Sequence, residues 1–140
     1  MLGAIRNYFG LAAIAGLAFT GAVTAQQSEV IGQAEYLNSC AVCHGLDATG
    51  NGQLTEFMNI AVSDLTKIAQ KNDGEFPFLQ VIHIIDGRSG VRGHGTDMPI
   101  WGDRFAADAA SEAEGDYSAA LAVRGRILSL AYYLESIQAE

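Results

Sequence analysis

The stretch Cys40-Ala41-Val42-Cys43-His44 constrains this chain more than any other, because it dictates what the fold must enclose. Two cysteines two residues apart, followed at once by histidine, form the attachment signature of c-type haem. Each thiol adds across one porphyrin vinyl group, and a short helical turn sets the two sulfurs at that separation. The histidine that follows is carried under the ring, where an imidazole nitrogen reaches iron. Two other readings of the motif fail. A redox dithiol normally sits beside a βαβ pattern, which is absent here. A zinc site needs further ligands, and these are the only cysteines in the chain.

At 140 residues the chain has room for one domain and a short appendage. The appendage is legible at the start. Arg6 lies in a short polar opening, Leu11 to Val23 is an apolar run, and Val23-Thr24-Ala25 supplies small residues where a signal peptidase cuts. We therefore expect residues 1–25 to be a signal peptide and 26–140 a haem-bearing domain in the periplasm. An uncleaved membrane anchor is disfavoured, since the apolar core is shorter than the ~20 residues a bilayer needs and is interrupted by Gly10, Gly16 and Gly21. Export and the cysteine motif agree with one another, because bacteria attach haem outside the cytoplasm.

Formal net charge is −8, and losing Arg6 with the leader makes the mature domain more acidic still. Nucleic acid is excluded as a partner on that balance. A redox protein with a basic docking face fits, drawn by long-range attraction that salt weakens. A membrane enters only if the leader stays attached. The expected state is a monomer or a subunit of a redox complex.

Along the mature chain, Ser28 to Cys40 reads as a first helix capped by Ser28, with Val30, Ile31, Ala34 and Leu37 as its apolar stripe. On an adjoining face Gly32, Tyr36 and Cys40 recur every fourth residue, which suits close approach of another helix. Gly45 to Gly52 is too rich in Gly, Asn and Asp for regular structure and is expected to wrap the proximal ring edge. Ser63 or Asp64 caps a short helix running to about Lys71, which Asn72-Asp73-Gly74 ends. Pro77 opens a helix carrying Phe78, Val81, Ile82 and Ile85 up to Asp86-Gly87, although these residues suit strand equally well. Ala106 to Asp116 reads as an acidic linker or surface helix. The last helix spans about Tyr117 to Gln138 with Ile127, Leu130, Leu134 and Ile137 on its apolar face, flanked by Tyr133. Gly125 inside it suggests close contact with a neighbour, given its propensity cost of ~1 kcal/mol.

Iron's sixth position has four protein candidates, Met58, Met98, His83 and His94, besides water. Met98 is favoured: it lies in an irregular segment long enough to cross the distal face, and Pro99 stiffens the backbone behind it. Met58 sits with Phe57 and Ile60 in what reads as a core patch, and His83 among Val81, Ile82, Ile84 and Ile85 as a structural residue. His94, just ahead of Met98, is a rival ligand when its imidazole is neutral. Arg88 and Arg92 are candidate partners of the haem propionates, since guanidinium forks match carboxylates, with a solvated loop surface as the competing reading. Trp101 is a candidate to donate its indole N–H to a propionate or to pack at the ring edge.

These residues together resemble the class I (mitochondrial-type) cytochromes c over about Val30 to Ile137. Gly32 and Tyr36 before the cysteine motif look like that family's first helix, and Leu130-Ala131-Tyr132-Tyr133-Leu134 like its last. Gly95 to Pro99 looks like its methionine-ligand loop. The middle of the chain looks closest to short periplasmic monohaem cytochromes of alphaproteobacteria. The resemblance implies an all-α cytochrome c fold, several helices wrapped around one covalently bound haem with crossing terminal helices, axial His44 and Met98, and electron carriage rather than enzymatic turnover. The prolines that often follow the haem motif, whose carbonyl orients the axial imidazole, are missing between Gly45 and Gly52, so the acceptor of that N–H stays open. The competing functions are a haem enzyme or gas sensor with a labile sixth ligand, and the cytochrome subunit of a dehydrogenase or oxidase complex.

Overall fold

In the computed structural model of the chain, the described residues are 20–88, 98–112 and 115–139, with side chains described from residue 26 and not at residue 112. All regular structure among them is helical: α1 (Thr20–Ser39), α2 (Ala41–His44), α3 (Phe78–Asp86), α4 (Trp101–Glu112) and α5 (Asp116–Ser136), with short 3₁₀ turns between α2 and α3. None of these helices is long and apolar enough to cross a membrane. Residues 1–19 of the expected leader 1–25, and Arg92 and His94, lie outside the described residues; residues 20–25 form the first turns of α1.

Helix α1 packs on α5, which also contacts α3 and α4. The α1–α5 contact is built on Gly32, whose missing side chain lets the Ser129 carbonyl and the Tyr133 Cβ close onto the helix. One turn on, the ring of Tyr36 is fully buried with its centroid 5.3 Å from that of Tyr133. Leu130 and Phe105 are the other large side chains sealed from water. Burial of each such side chain contributes about 1.5–3 kcal/mol, which makes these three the main apolar anchors. Arg126 of α5 ties three helices together. Its Nε and one terminal nitrogen meet the Glu35 carboxylate at 2.8 and 2.9 Å, another reaches Asp108 at 3.1 Å, and the guanidinium lies 3.9 Å from the Phe105 ring centre.

Several sequence expectations need correction. The apolar stripe of α1 faces outward: Val30 is 64% exposed, and Ile31 and Leu37 are each 47% exposed. The glycine side of the helix wins the contact with α5 because only there can two backbones approach closely. Helix α1 also starts earlier than Ser28. Of the two readings of the acidic segment, the surface helix holds over residues 106–112, which continue α4 from Trp101 and are exposed where described except at the buried Ala109, while Asp116 opens α5. Among the described residues, none lies within 4 Å of where a Cβ on Gly125 would stand, so none of them explains it. Phe57 is 81% exposed, so the patch around Met58 is no core.

Other readings hold in whole or in part. Asp64 caps as expected, accepting from the Thr66 amide at 3.0 Å, but the short helix to Lys71 is two 3₁₀ turns, Leu65–Lys67 and Gln70–Asn72. The ambiguous run after Pro77 is helical, and it ends as Gly87 takes φ +78° and the Arg88 amide bonds back to the His83 carbonyl at 3.0 Å.

Candidate functional site

The cysteine motif forms the end of the first helical stretch. The Cys40 amide bonds to the Tyr36 carbonyl at 2.8 Å, and the Cys43 and His44 amides both return to the Cys40 carbonyl, at 3.1 and 2.9 Å. The intervening pair Ala41-Val42 thus completes one turn, bringing both sulfurs and the imidazole to the same end of α1. Cys40 and Cys43 are unpaired thiols of intermediate burial. Burial, helped by the nearby Glu35 and Cys43, pushes the Cys40 thiol up to about 12, so it stays protonated at neutral pH in the unreacted polypeptide.

The glycine-rich loop closes beneath this turn. The Gly50 amide bonds to the His44 carbonyl at 2.8 Å, the Gly52 amide to the Cys43 carbonyl at 3.0 Å, and the Leu65 amide to the Ala48 carbonyl at 2.8 Å. Gly52 has a steric role: a Cβ there would stand 2.4 Å from the Val42 oxygen, too close for any side chain. Composition marked this stretch as a loop; the hydrogen bonds make it a brace that fixes the motif from below.

His44 is 6% exposed, and its Nδ1 lies 3.0 Å from the Ser63 carbonyl oxygen. A carbonyl only accepts, so Nδ1 carries the proton and Nε2 the lone pair that a metal requires. Burial lowers the imidazole's proton affinity by more than this bond raises it, which favours the neutral ring. The acceptor left open by the missing prolines is therefore the backbone of Ser63. No side-chain pattern announces a main-chain acceptor nineteen residues away.

A second tether acts through Tyr36. Its hydroxyl donates to the Gly45 carbonyl at 2.6 Å, inside the protein, and burial raises its pKa. Removing only that hydroxyl in Tyr36→Phe strands a buried carbonyl, with an expected cost of about 1–3 kcal/mol in a denaturant titration. A change near zero would mean that water or another donor replaces it.

Cys40, Cys43 and His44 line one cavity of about 280 Å³, partly open to solvent. Its other walls are largely apolar, among them Val81, Ile84 and Ile85 from α3 and Leu130 and Leu134 from α5. Met98, Pro99 and Trp101 line it too, and so does Met58, which sequence reasoning had set aside. Trp101 also packs on Phe105 at 5.6 Å between ring centres. Arg88 is exposed and paired with Asp86, and neither it nor His83 lines the cavity.

Among the described residues no three His, Cys, Asp or Glu side chains gather as ligands of a bare metal ion. Two thiols and an imidazole in one apolar cleft instead suit a flat hydrophobic ring that brings its own nitrogens to iron. On donor type, lining and the orientation of His44, the residues present fit a haem. Compared with known proteins, the chain matches no family model, no curated protein and no solved structure.

Proposed function

We propose that this protein is an exported one-electron carrier, an α-helical domain of the cytochrome c kind with one covalently attached haem. One observation carries the reading: a buried imidazole, its Nδ1–H donated to the Ser63 carbonyl, shares an apolar cavity with both cysteines of the attachment motif.

When bound, the haem supplies a one-electron iron couple; the chain supplies the rest. Cys40 and Cys43 would hold the group through thioethers, so that it stays on the chain between encounters. Ser63 fixes the tautomer and rotation of His44, leaving Nε2 as the nitrogen that would hold the metal. Met98 would provide a soft sulfur donor, the kind that favours the reduced ion. The apolar walls from α3 and α5 exclude water, so little solvent must reorganise as charge moves. With His44 and Met98 as its protein ligands, the metal would offer no place to a substrate, and the domain would meet redox partners through brief contacts typically under ~1,200 Å². The net negative charge would draw basic partners in the periplasm.

The test is chemical. Produced in a host that matures c-type cytochromes, the protein should keep its colour on the polypeptide through acidified organic solvent. The double variant Cys40→Ala, Cys43→Ala should release all pigment to the solvent. A colourless wild-type protein, or one that gives up its pigment, ends this reading.

A further inference from the structure

The outward stripe of α1 is a sequence feature that the haem site does not use. Residues 26–38 turn Gln26, Gln27, Val30, Ile31, Gln33, Ala34, Leu37 and Asn38 to solvent. None of these is charged, on a chain whose formal charge is −8. The one exposed charge in the segment, Glu29, borders this face, about 140° round the helix from its middle at Ala34 and about 40° from Gln33. Glu35, the other acid, is turned inward and held by Arg126. An acidic molecule thus has one helix face whose middle carries no acid and on which aliphatic side chains are collected.

We infer that this face joins two copies of the chain through a two-fold pairing of α1 with α1. The charge pattern selects the occupant. A basic partner would find no carboxylates here and would be drawn to the acidic surface elsewhere. Two acidic copies repel least where neither brings carboxylates together, and the middle of this face meets that condition. The order of side chains is also self-complementary. In an antiparallel pair with its axis at Ala34, the two alanines meet at the centre, where their small size lets the helices close. Val30 and Ile31 of each copy then lie against Leu37 of the other, and Gln27, Gln33 and Asn38 form an uncharged rim. Such isologous contacts are the commonest route to homodimers. The contact spans about three and a half turns and stays below the ~1,200 Å² of ordinary stable complexes, so the dimer is weak and reversible. Ser39, which lines the cavity, lies about 180° from Val30, so pairing leaves the cavity side open to redox partners. The inference does not depend on what fills the cavity.

Sedimentation equilibrium of the intact holoprotein, from micromolar to millimolar, tests it. A reversible monomer–dimer equilibrium is expected. Added salt should tighten it, because screening relieves repulsion between acidic bodies and leaves the apolar contact intact. Ala34→Glu sets two carboxylates on the axis of an exposed helix face and should weaken the dimer roughly tenfold or more, with the visible spectrum and helix content unchanged. Ala34→Cys should cross-link copies under mild oxidation, whereas Cys introduced at Glu29 should not. A protein monomeric throughout, or a dimer that salt weakens or Ala34→Glu leaves intact, overturns the proposal. So does co-sedimentation of wild-type protein, but not Ala34→Glu, with phosphatidylcholine vesicles in place of self-association, since the face would then serve a lipid surface.

Discussion

Gly32→Val is expected to destabilise the folded protein by about 3 kcal/mol or more, the largest effect of any single substitution outside the cysteine motif. Any Cβ at this position would stand 2.0 Å from the Ser129 carbonyl oxygen and 2.8 Å from the Tyr133 Cβ. The first obstacle is backbone in the middle of α5, so relief requires the two helices to move apart. That separation would open the contacts of Tyr36, loosen the Glu35–Arg126 pair and shift the motif at the end of α1. Single domains have only about 5–15 kcal/mol to lose, so a substantial fraction of the stability is at stake. Urea unfolding followed by helical circular dichroism measures the effect. Gly125→Ala is the matched control, since a Cβ there meets nothing within 4 Å and alanine is the better helix former by about 1 kcal/mol. It should leave the midpoint unchanged or raise it. Equal effects at the two glycines would remove Gly32 from its place at the centre of the α1–α5 contact.

The contrast between these glycines shows where sequence reasoning succeeds and where it stops. Both interrupt helices, and local propensity treats them alike. Gly32 was legible because Tyr36 and Cys40 follow it at helical spacing, which marks a face. Gly125 has no such companions, and among the described residues no neighbour meets it. Val30, Ile31, Ala34 and Leu37 share one face, as their spacing implies, and the structure turns that face outward. Hydrophobic periodicity says that residues share a side; it does not say that the side is buried within one chain. Helix α4 was missed in its first turn because Trp101 and Gly102 follow a proline-containing loop, and because Phe105 is a single aromatic residue amid alanines and acids. The turn of the cysteine motif was legible, since two residues between the cysteines complete one helical turn. Its support by the Ser63 carbonyl was not, because backbone groups carry no residue identity.

Met98→Ala should convert a protein whose reduced iron refuses carbon monoxide into one that binds it stoichiometrically at neutral pH. The argument rests on donor chemistry and on which residues reach the cavity. A thioether on the metal leaves no position for an external ligand, and alanine supplies no donor in its place. The midpoint potential should fall as well, since the lost sulfur favours the reduced state. Two methionines line the cavity, however, and a sulfur in the wall is not yet a ligand. Met58 follows a 3₁₀ turn at Gln53–Phe57, in the loop that returns from the cysteine motif toward Ser63. That connection ties it to the segment that buttresses His44, whereas Met98 arrives from beyond α3 with Pro99 behind it. Met58→Ala should therefore leave the iron closed to carbon monoxide, and the double variant should behave like Met98→Ala alone. If Met58→Ala opens the iron and Met98→Ala does not, the two sulfurs exchange roles and the electron-carrier reading survives. If wild-type reduced protein binds the gas at once, the metal was never closed, and the protein is a haem enzyme or sensor instead of a carrier.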